Sequence, residues 1–208
     1  MYVLLTKSFI VRCNIIEHGS YFTGSTNNSV VLGAGVGFVV GLVDHSITFA
    51  IKTTSNDGTI FVGDSGAINV VKASVLSGKL LWQVEGYDDL LSTILVNDNE
   101  WHHISLVFKQ STSYYYLYIN GVEDNKIKVP LVDYKVLSSI VFSPDSNPFT
   151  GYILGFSYCA GALEVPHIGA LASQPRKLIA HVKKIFILII LYSAILFISI
   201  ANNEPFRK

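Results

Sequence analysis

Residues 114–129, YYYLYINGVEDNKIKV, limit what this chain can fold into more than any other stretch. Asn120-Gly121 separates two runs of strand-forming residues, and an Asn-Gly pair accepts the positive φ angles that a two-residue hairpin turn requires. The tyrosines and isoleucine ahead of it suit a pleated, half-buried surface. The same arrangement recurs upstream. SITFAIKT, 46–53, alternates Ile47, Phe49 and Ile51 with Thr48, Ala50 and Lys52, which reads as a strand buried on one side. Asp57-Gly58 then turns the chain into TIFVG, and VVKASVL returns through Ser77-Gly78 into KLLWQVE. From about Gly19 to Ala172 no helical periodicity interrupts these runs, and no internal repeat appears. The spacing predicts an all-β domain over 19–172, a sandwich of two antiparallel sheets, behind an N-terminal lead-in over 1–18.

Composition adds a second element. Half of the 208 residues are hydrophobic and 14% are charged, an apolar balance for a wholly soluble chain. The excess lies at the C-terminus, where Ile185 to Ala201 carries no charge and is bracketed by Lys183-Lys184 and Arg207-Lys208. Its length meets the minimum of roughly 17 residues for a helix that crosses a bilayer. We expect a single transmembrane helix over 185–201, with a basic linker, 173–184, before it and a short tail, 202–208, after it. Lys+Arg and Asp+Glu both number 15, so no net field draws the chain to nucleic acid. At the N-terminus Lys7 and Arg12 break the apolar run that a secretory signal would need.

The segment NDNEWHHISLVF, 97–108, raises the question of a metal site. Adjacent residues on a strand point to opposite faces, so His102 and His103 cannot grip one ion together. No H-x-E, C-x-x-C or H-E-x-x-H pattern supplies further ligands. His102 is in phase with Ile104, Leu106 and Phe108 and is expected to be a core histidine bonded to backbone, with His103, Ser105 and Val107 on the other face. VVLGAGVGFVVG imitates a dinucleotide fingerprint from Gly33, but Phe38 stands where the third glycine belongs and no helix follows to receive a phosphate.

Four stretches, in order, resemble the laminin G-like domains of the concanavalin A-like lectin and glucanase superfamily. They are YFTGSTNNSVVLG, ITFAIKTTSNDGTIFVGDSG, the Trp-His strand with its Asn-Gly hairpin, and NPFTGYILGFSYCAGALEVPHIGAL. The last is similar to the pentraxin-like branch. The resemblance implies a jelly-roll sandwich, usually extracellular, that binds glycan or protein ligands through loops on one rim, often with calcium. The calcium candidates are Asp88 and Asp89 in EGYDDLL, and Asp64 in VGDSG. One loop offers few of the oxygens calcium wants, so a solvated acidic turn is the competing reading. Cys13 and Cys159 frame the domain, and the fold's neighbouring first and last strands imply that they pair as a disulfide. Asn27-Asn28-Ser29 is a glycosylation sequon with Asn27 as acceptor.

The superfamily also contains glucanases, which carry their carboxylates on one strand as E-x-D-x-E, a pattern absent here. Asp98 and Glu100 are spaced to share a face, but they fall in the turn before Trp101. The expected function is therefore a membrane-anchored extracellular recognition or adhesion module, non-catalytic, binding glycan or protein partners. The alternatives are a glycan hydrolase on the same fold and a structural fragment of a larger adhesion receptor. Orientation pulls two ways. Arg176, Lys177, Lys183 and Lys184 on the domain side argue for a cytoplasmic domain. Family, sequon and cysteines argue for an extracellular one, which we expect.

Overall fold

The computed structural model describes residues 2–5, 10–16, 19–32, 38–40, 43–66, 69–129 and 135–173. The strands in chain order are β1 (Tyr2–Leu5), β2 (Ile10–Ile16), β3 (Ser20–Thr23), β4 (Val30–Leu32), β5 (Phe38–Val40) and β6 (His45–Lys52). β7 (Gly58–Asp64), β8 (Asn69–Leu76), β9 (Lys79–Val84), β10 (Leu90–Leu95) and β11 (His102–Lys109) follow. β12 (Tyr114–Ile119), β13 (Val122–Lys128), β14 (Lys135–Leu137), β15 (Ser139–Phe142) and β16 (Thr150–Cys159) complete them. Residues 165–173 form a helix, α1.

Two antiparallel sheets make the sandwich. The larger runs β1-β2-β16-β6-β11-β12-β13, and the smaller runs β10-β9-β8-β7-β15-β4. β3 and β2 share one edge of β16 in tandem, β3 against Thr150–Ile153 and β2 against Phe156–Cys159. Between these two stretches Gly155 takes φ 63° and the pairing of β16 with β6 slips at Leu154/Ser157. Such a bulge re-aims the strand and sharpens its twist. The core between the sheets is aromatic at its centre, where Phe61 meets Phe49, Phe156 and Trp82. Two of these contacts are edge-to-face, the arrangement the ring quadrupoles favour.

The turn chemistry reads through to the structure. Asn120 and Gly121 take φ 54° and 87°, Ser77 and Gly78 φ 50° and 77°, and each pair closes a two-residue hairpin. Gly121 also has a packing reason to be glycine, since a Cβ there would stand 3.2 Å from the Cα of Gly169.

Three expectations need correction. β6 is buried on both sides from His45 to Ile51, not one. The outer face of the larger sheet is covered by the chain after β16, where Leu163 and Ile168 pack on Val107, Tyr118 and Cys159. Ser46 anchors that cover, its hydroxyl donating to the Gly161 carbonyl at 2.9 Å and accepting the Leu163 amide at 2.9 Å. The covering helix was unforeseen because nine residues are too few for a periodic signal. The stretch read as a lead-in, 1–18, also contributes β1 and β2, so the sheet begins before Gly19. Ile185–Ala201 lies outside the described residues, among which no helix is long and apolar enough to cross a membrane.

His45 and His103 are both buried, and desolvation pushes each from 6.5 down to about 4. In His45 the Nδ1–H donates to the Val43 carbonyl at 2.8 Å, partly opposing that shift, and Nε2 accepts from the Tyr115 hydroxyl at 2.8 Å.

Two outcomes follow. Leu106 is fully buried between the sheets, so Leu106→Ala should cost about 2–5 kcal/mol in urea unfolding, and an unchanged midpoint would contradict its core position. Each histidine's folded pKa lies below its unfolded one. The stability that its neutral form provides is complete above pH 6.5 and drains away as pH falls toward 4. Unfolding at pH 4.5 against pH 7.5 should show a loss of roughly 2–3 kcal/mol per histidine, with His103→Gln removing about half of the pH dependence. A flat profile over that window would contradict both assignments.

Candidate functional site

The Trp-His segment builds a hydrogen-bonded relay. Asn120 Oδ1 accepts the His103 amide at 3.0 Å, which turns its Nδ2 toward His102 Nδ1 at 3.2 Å. An amide nitrogen only donates, so Nδ1 is the acceptor and the ring proton sits on Nε2. That proton is donated to Asp98 Oδ1 at 2.8 Å. Burial raises the Asp98 carboxyl, but the hydrogen bonds from His102 and the Glu100 amide outweigh it and hold the group below its ordinary value. His102 is buried as expected, with side-chain partners instead of the expected backbone ones. His103 faces the opposite side, beneath the outer cover, where its Nδ1 and the nearby Ser105 hydroxyl have no hydrogen-bond partner among the described residues.

The acidic candidates share one end of the smaller sheet. Asp64 closes β7, which pairs with the start of β8, and Asp88 and Asp89 lie in the exposed turn after β9. They do not converge: among the described residues no three His, Cys, Asp or Glu side chains could hold an ion together. Asp64 accepts hydrogen bonds from the Ser139 hydroxyl, the Gly66 amide at 2.8 Å and the Ser138 hydroxyl at 2.9 Å. The Ser139 bond does most to hold its carboxyl below the ordinary value, against burial. Asp89 Oδ1 accepts from Gln83 Nε2 at 2.8 Å.

At the opposite end, on the outer face of the larger sheet, lies a feature the sequence reading missed. Tyr21 on β3 and Tyr152 on β16 are direct cross-strand partners, with ring centroids 4.6 Å apart and planes 46° to each other. Trp101, just ahead of β11, sits 6.1 Å from Tyr152 at 50°. Tyr21 and Tyr152 are 52% and 45% exposed. The available signal was phase: Tyr152 falls between Gly151 and Ile153, which face inward, so it must face out. Only the tertiary pairing brings residues 21, 101 and 152 together.

The remaining candidates are placed more simply. Cys13 and Cys159 lie inside β2 and β16, not outside the strands, and are Cα partners across that pair. Asn27 is exposed in a turn at φ 81°, its amide donating to Asp145 Oδ1 at 3.0 Å. Of the glycine-rich stretch, 33–37 and Gly41 lie outside the described residues, and Phe38 opens β5 with its ring buried against Tyr158.

No curated protein sequence matches the chain. Among solved structures it is similar to the receptor binding domain of botulinum neurotoxin D, at 17% identity over 82% of this chain and 49% of that one, TM-score 0.61. It is similar at 19% identity, over 81% and 47%, TM-score 0.60, to the botulinum neurotoxin serotype D ligand binding domain in complex with N-acetylneuraminic acid. A heptameric SAP-like pentraxin from Limulus polyphemus matches at 17% identity over 77% and 81%, TM-score 0.60. The chain thus spans about half the length of the neurotoxin chains, and likeness at this identity establishes the fold. Residues 23–169 match a laminin G-type family model described as Concanavalin A-like lectin/glucanases superfamily. With its two-sheet sandwich, its Trp-His strand and its Asn-Gly hairpin, the chain belongs to that superfamily.

Proposed function

We propose that the domain is a non-catalytic recognition module for glycan or protein ligands, displayed outside the cell and held at a membrane by a helix over 185–201. The observation that carries this reading is a lectin-type fold with a structural neighbour solved in complex with N-acetylneuraminic acid. The carboxylates support it. A glycoside hydrolase needs two carboxyl groups facing each other across the sugar, whereas Asp98 is spent on His102 and the Glu100 amide. Anchoring many copies in one plane would raise the effective concentration of individually weak sites.

Ligand contact at the acidic rim, with calcium held by Asp88, Asp89 and carbonyls of their turn, belongs to the same proposal. Asp64 is committed to three hydrogen bonds, which leaves the Asp88-Asp89 pair as the better candidates for a cation, with Asp89 Oδ1 already accepting from Gln83. Asn27 is the proposed glycan acceptor, since it is exposed in a turn. The proposed Cys13–Cys159 disulfide is supported by register. Residues directly opposed on antiparallel strands stand about 4.5–5.5 Å apart at Cα, within the roughly 4.4–6.8 Å that a disulfide spans.

The full chain, applied to glycan and protein arrays with and without calcium, should bind ligand and turn over no β-glucan. Hydrolysis lost on Glu100→Gln would promote the hydrolase. Asp88→Ala with Asp89→Ala should abolish calcium uptake in calorimetry, and uptake that persists would move the ion elsewhere. Mass spectrometry of unreduced peptides from cell-surface protein should find Cys13 linked to Cys159, with reduction costing about 2–5 kcal/mol of stability. Two free thiols there would refute the bridge and count against an extracellular domain.

A further inference from the structure

We propose that Trp101, Tyr152 and Tyr21 form a sugar-stacking platform on the outer face of the larger sheet, separate from the acidic rim, for an oligosaccharide of two or more pyranose rings. This rests on the glycan-recognition reading above and assigns it a surface.

Cross-strand pairing accounts for the contact between Tyr21 and Tyr152 but not for leaving both rings so exposed beside Trp101. The outer face beyond them is closed, with α1 and the preceding segment burying Val107, Tyr118 and Cys159. Among the described residues the other large hydrophobic side chains left exposed are scattered aliphatics, and the two exposed tyrosines are packed on each other. Contiguous exposed apolar surface of this kind marks an interaction site.

The chemistry of the rings narrows the occupant. Each carries a polar handle, and the Tyr21 and Tyr152 hydroxyls and the Trp101 indole N–H make no hydrogen bond among the described residues. A pyranose presents an apolar C–H face edged by hydroxyl groups. Its C–H face, polarised positive, meets the negative face of an aromatic ring, and its hydroxyls meet the phenol and indole handles. An aliphatic partner would use the ring faces and leave the handles idle.

The platform is also rigid before any ligand arrives. Tyr21 and Tyr152 are fixed as a cross-strand pair, and Trp101 directly precedes His102, which Asp98 and Asn120 lock on both ring nitrogens. Binding therefore orders little that is not already ordered. The rings are tilted against one another by 46° and 50°, so they are not one flat surface.

The test uses the full chain in detergent on an array of neutral and sialylated oligosaccharides, followed by titration of the best glycan in EDTA. Tyr152→Ala, and separately Tyr21→Ala on the edge strand, should weaken binding about ten-fold or more with only a small drop in melting temperature, the loss of one cross-strand aromatic pair. Tyr152→Phe, which keeps the ring, should stay within a few-fold of wild type. Glycan binding that EDTA or the Asp88→Ala, Asp89→Ala variant abolishes, while Tyr152→Ala leaves it intact, would put the sugar on the rim and overturn the platform but not the recognition reading. Absence of any glycan binding by the wild-type chain would overturn the platform and leave the recognition reading its protein ligands alone. A dimer that Tyr152→Ala dissociates, with glycan affinity unchanged, would assign the rings to a second copy of the chain and overturn the platform.

Discussion

The side chain of Asn120 holds β11 in register with everything around it. Its carbonyl accepts from the His103 amide and its NH2 group donates to His102 Nδ1, which keeps the ring proton on Nε2, where it is donated to Asp98. Its backbone supplies one of the two positive φ angles of the β12–β13 turn, and the glycine beside it meets α1. One residue thus ties the start of the central strand, the hairpin that follows and the terminal cover together. The stakes are high because β11 is buried on both sides. A slip of one residue would exchange Ile104, Leu106 and Phe108 for His103, Ser105 and Val107 in the aromatic core.

The two outer regions of the larger sheet are finished differently. Over one, Leu163 and Ile168 seal Val107, Tyr118 and Cys159, and His103 Nδ1, Ser105 Oγ and His167 Nδ1 on that side find no hydrogen-bond partner among the described residues, as Trp82 Nε1 finds none in the inner core. Each such orphan costs on the order of 1–3 kcal/mol, which the burial of its apolar neighbours has to offset. Over the other, the rings of Tyr21, Tyr152 and Trp101 are left open to solvent. The sheet behind both is the same, which separates what stabilises it from what it displays.

How far the sequence disclosed this depends on range. The hairpins at Ser77-Gly78 and Asn120-Gly121 were legible because two adjacent residues set a turn. The inward phase of Ile104, Leu106 and Phe108 was legible because alternation is local. The second buried face of β6 and β11 was not, since Leu163 and Ile168, which cover it, are far along the chain and give no periodic sign. β1 and β2 were hidden by Lys7 and Arg12, charges that interrupt an apolar run without preventing a strand pairing. Of the acidic candidates, Asp64 sits where its neighbours' hydroxyls claim it, a fact that lives in Ser138 and Ser139, about 75 residues away. The aromatic platform needed three positions from three separate elements, which composition cannot align.

The two tryptophans fall on the two sides of this division. Trp82 is sealed in the core between Phe61 and Tyr115, while Trp101 stands half-buried beside Tyr152 at the surface. The protein therefore carries two intrinsic fluorophores of contrasting surroundings. Emission from Trp82 should lie to the blue and be shielded from a dissolved quencher until the sandwich opens. Trp101, half-buried at the surface, should emit further to the red and be more accessible to quencher or to anything that settles on the outer face. One cuvette can then follow occupancy at the surface and integrity of the interior as separate optical signals, with no label added.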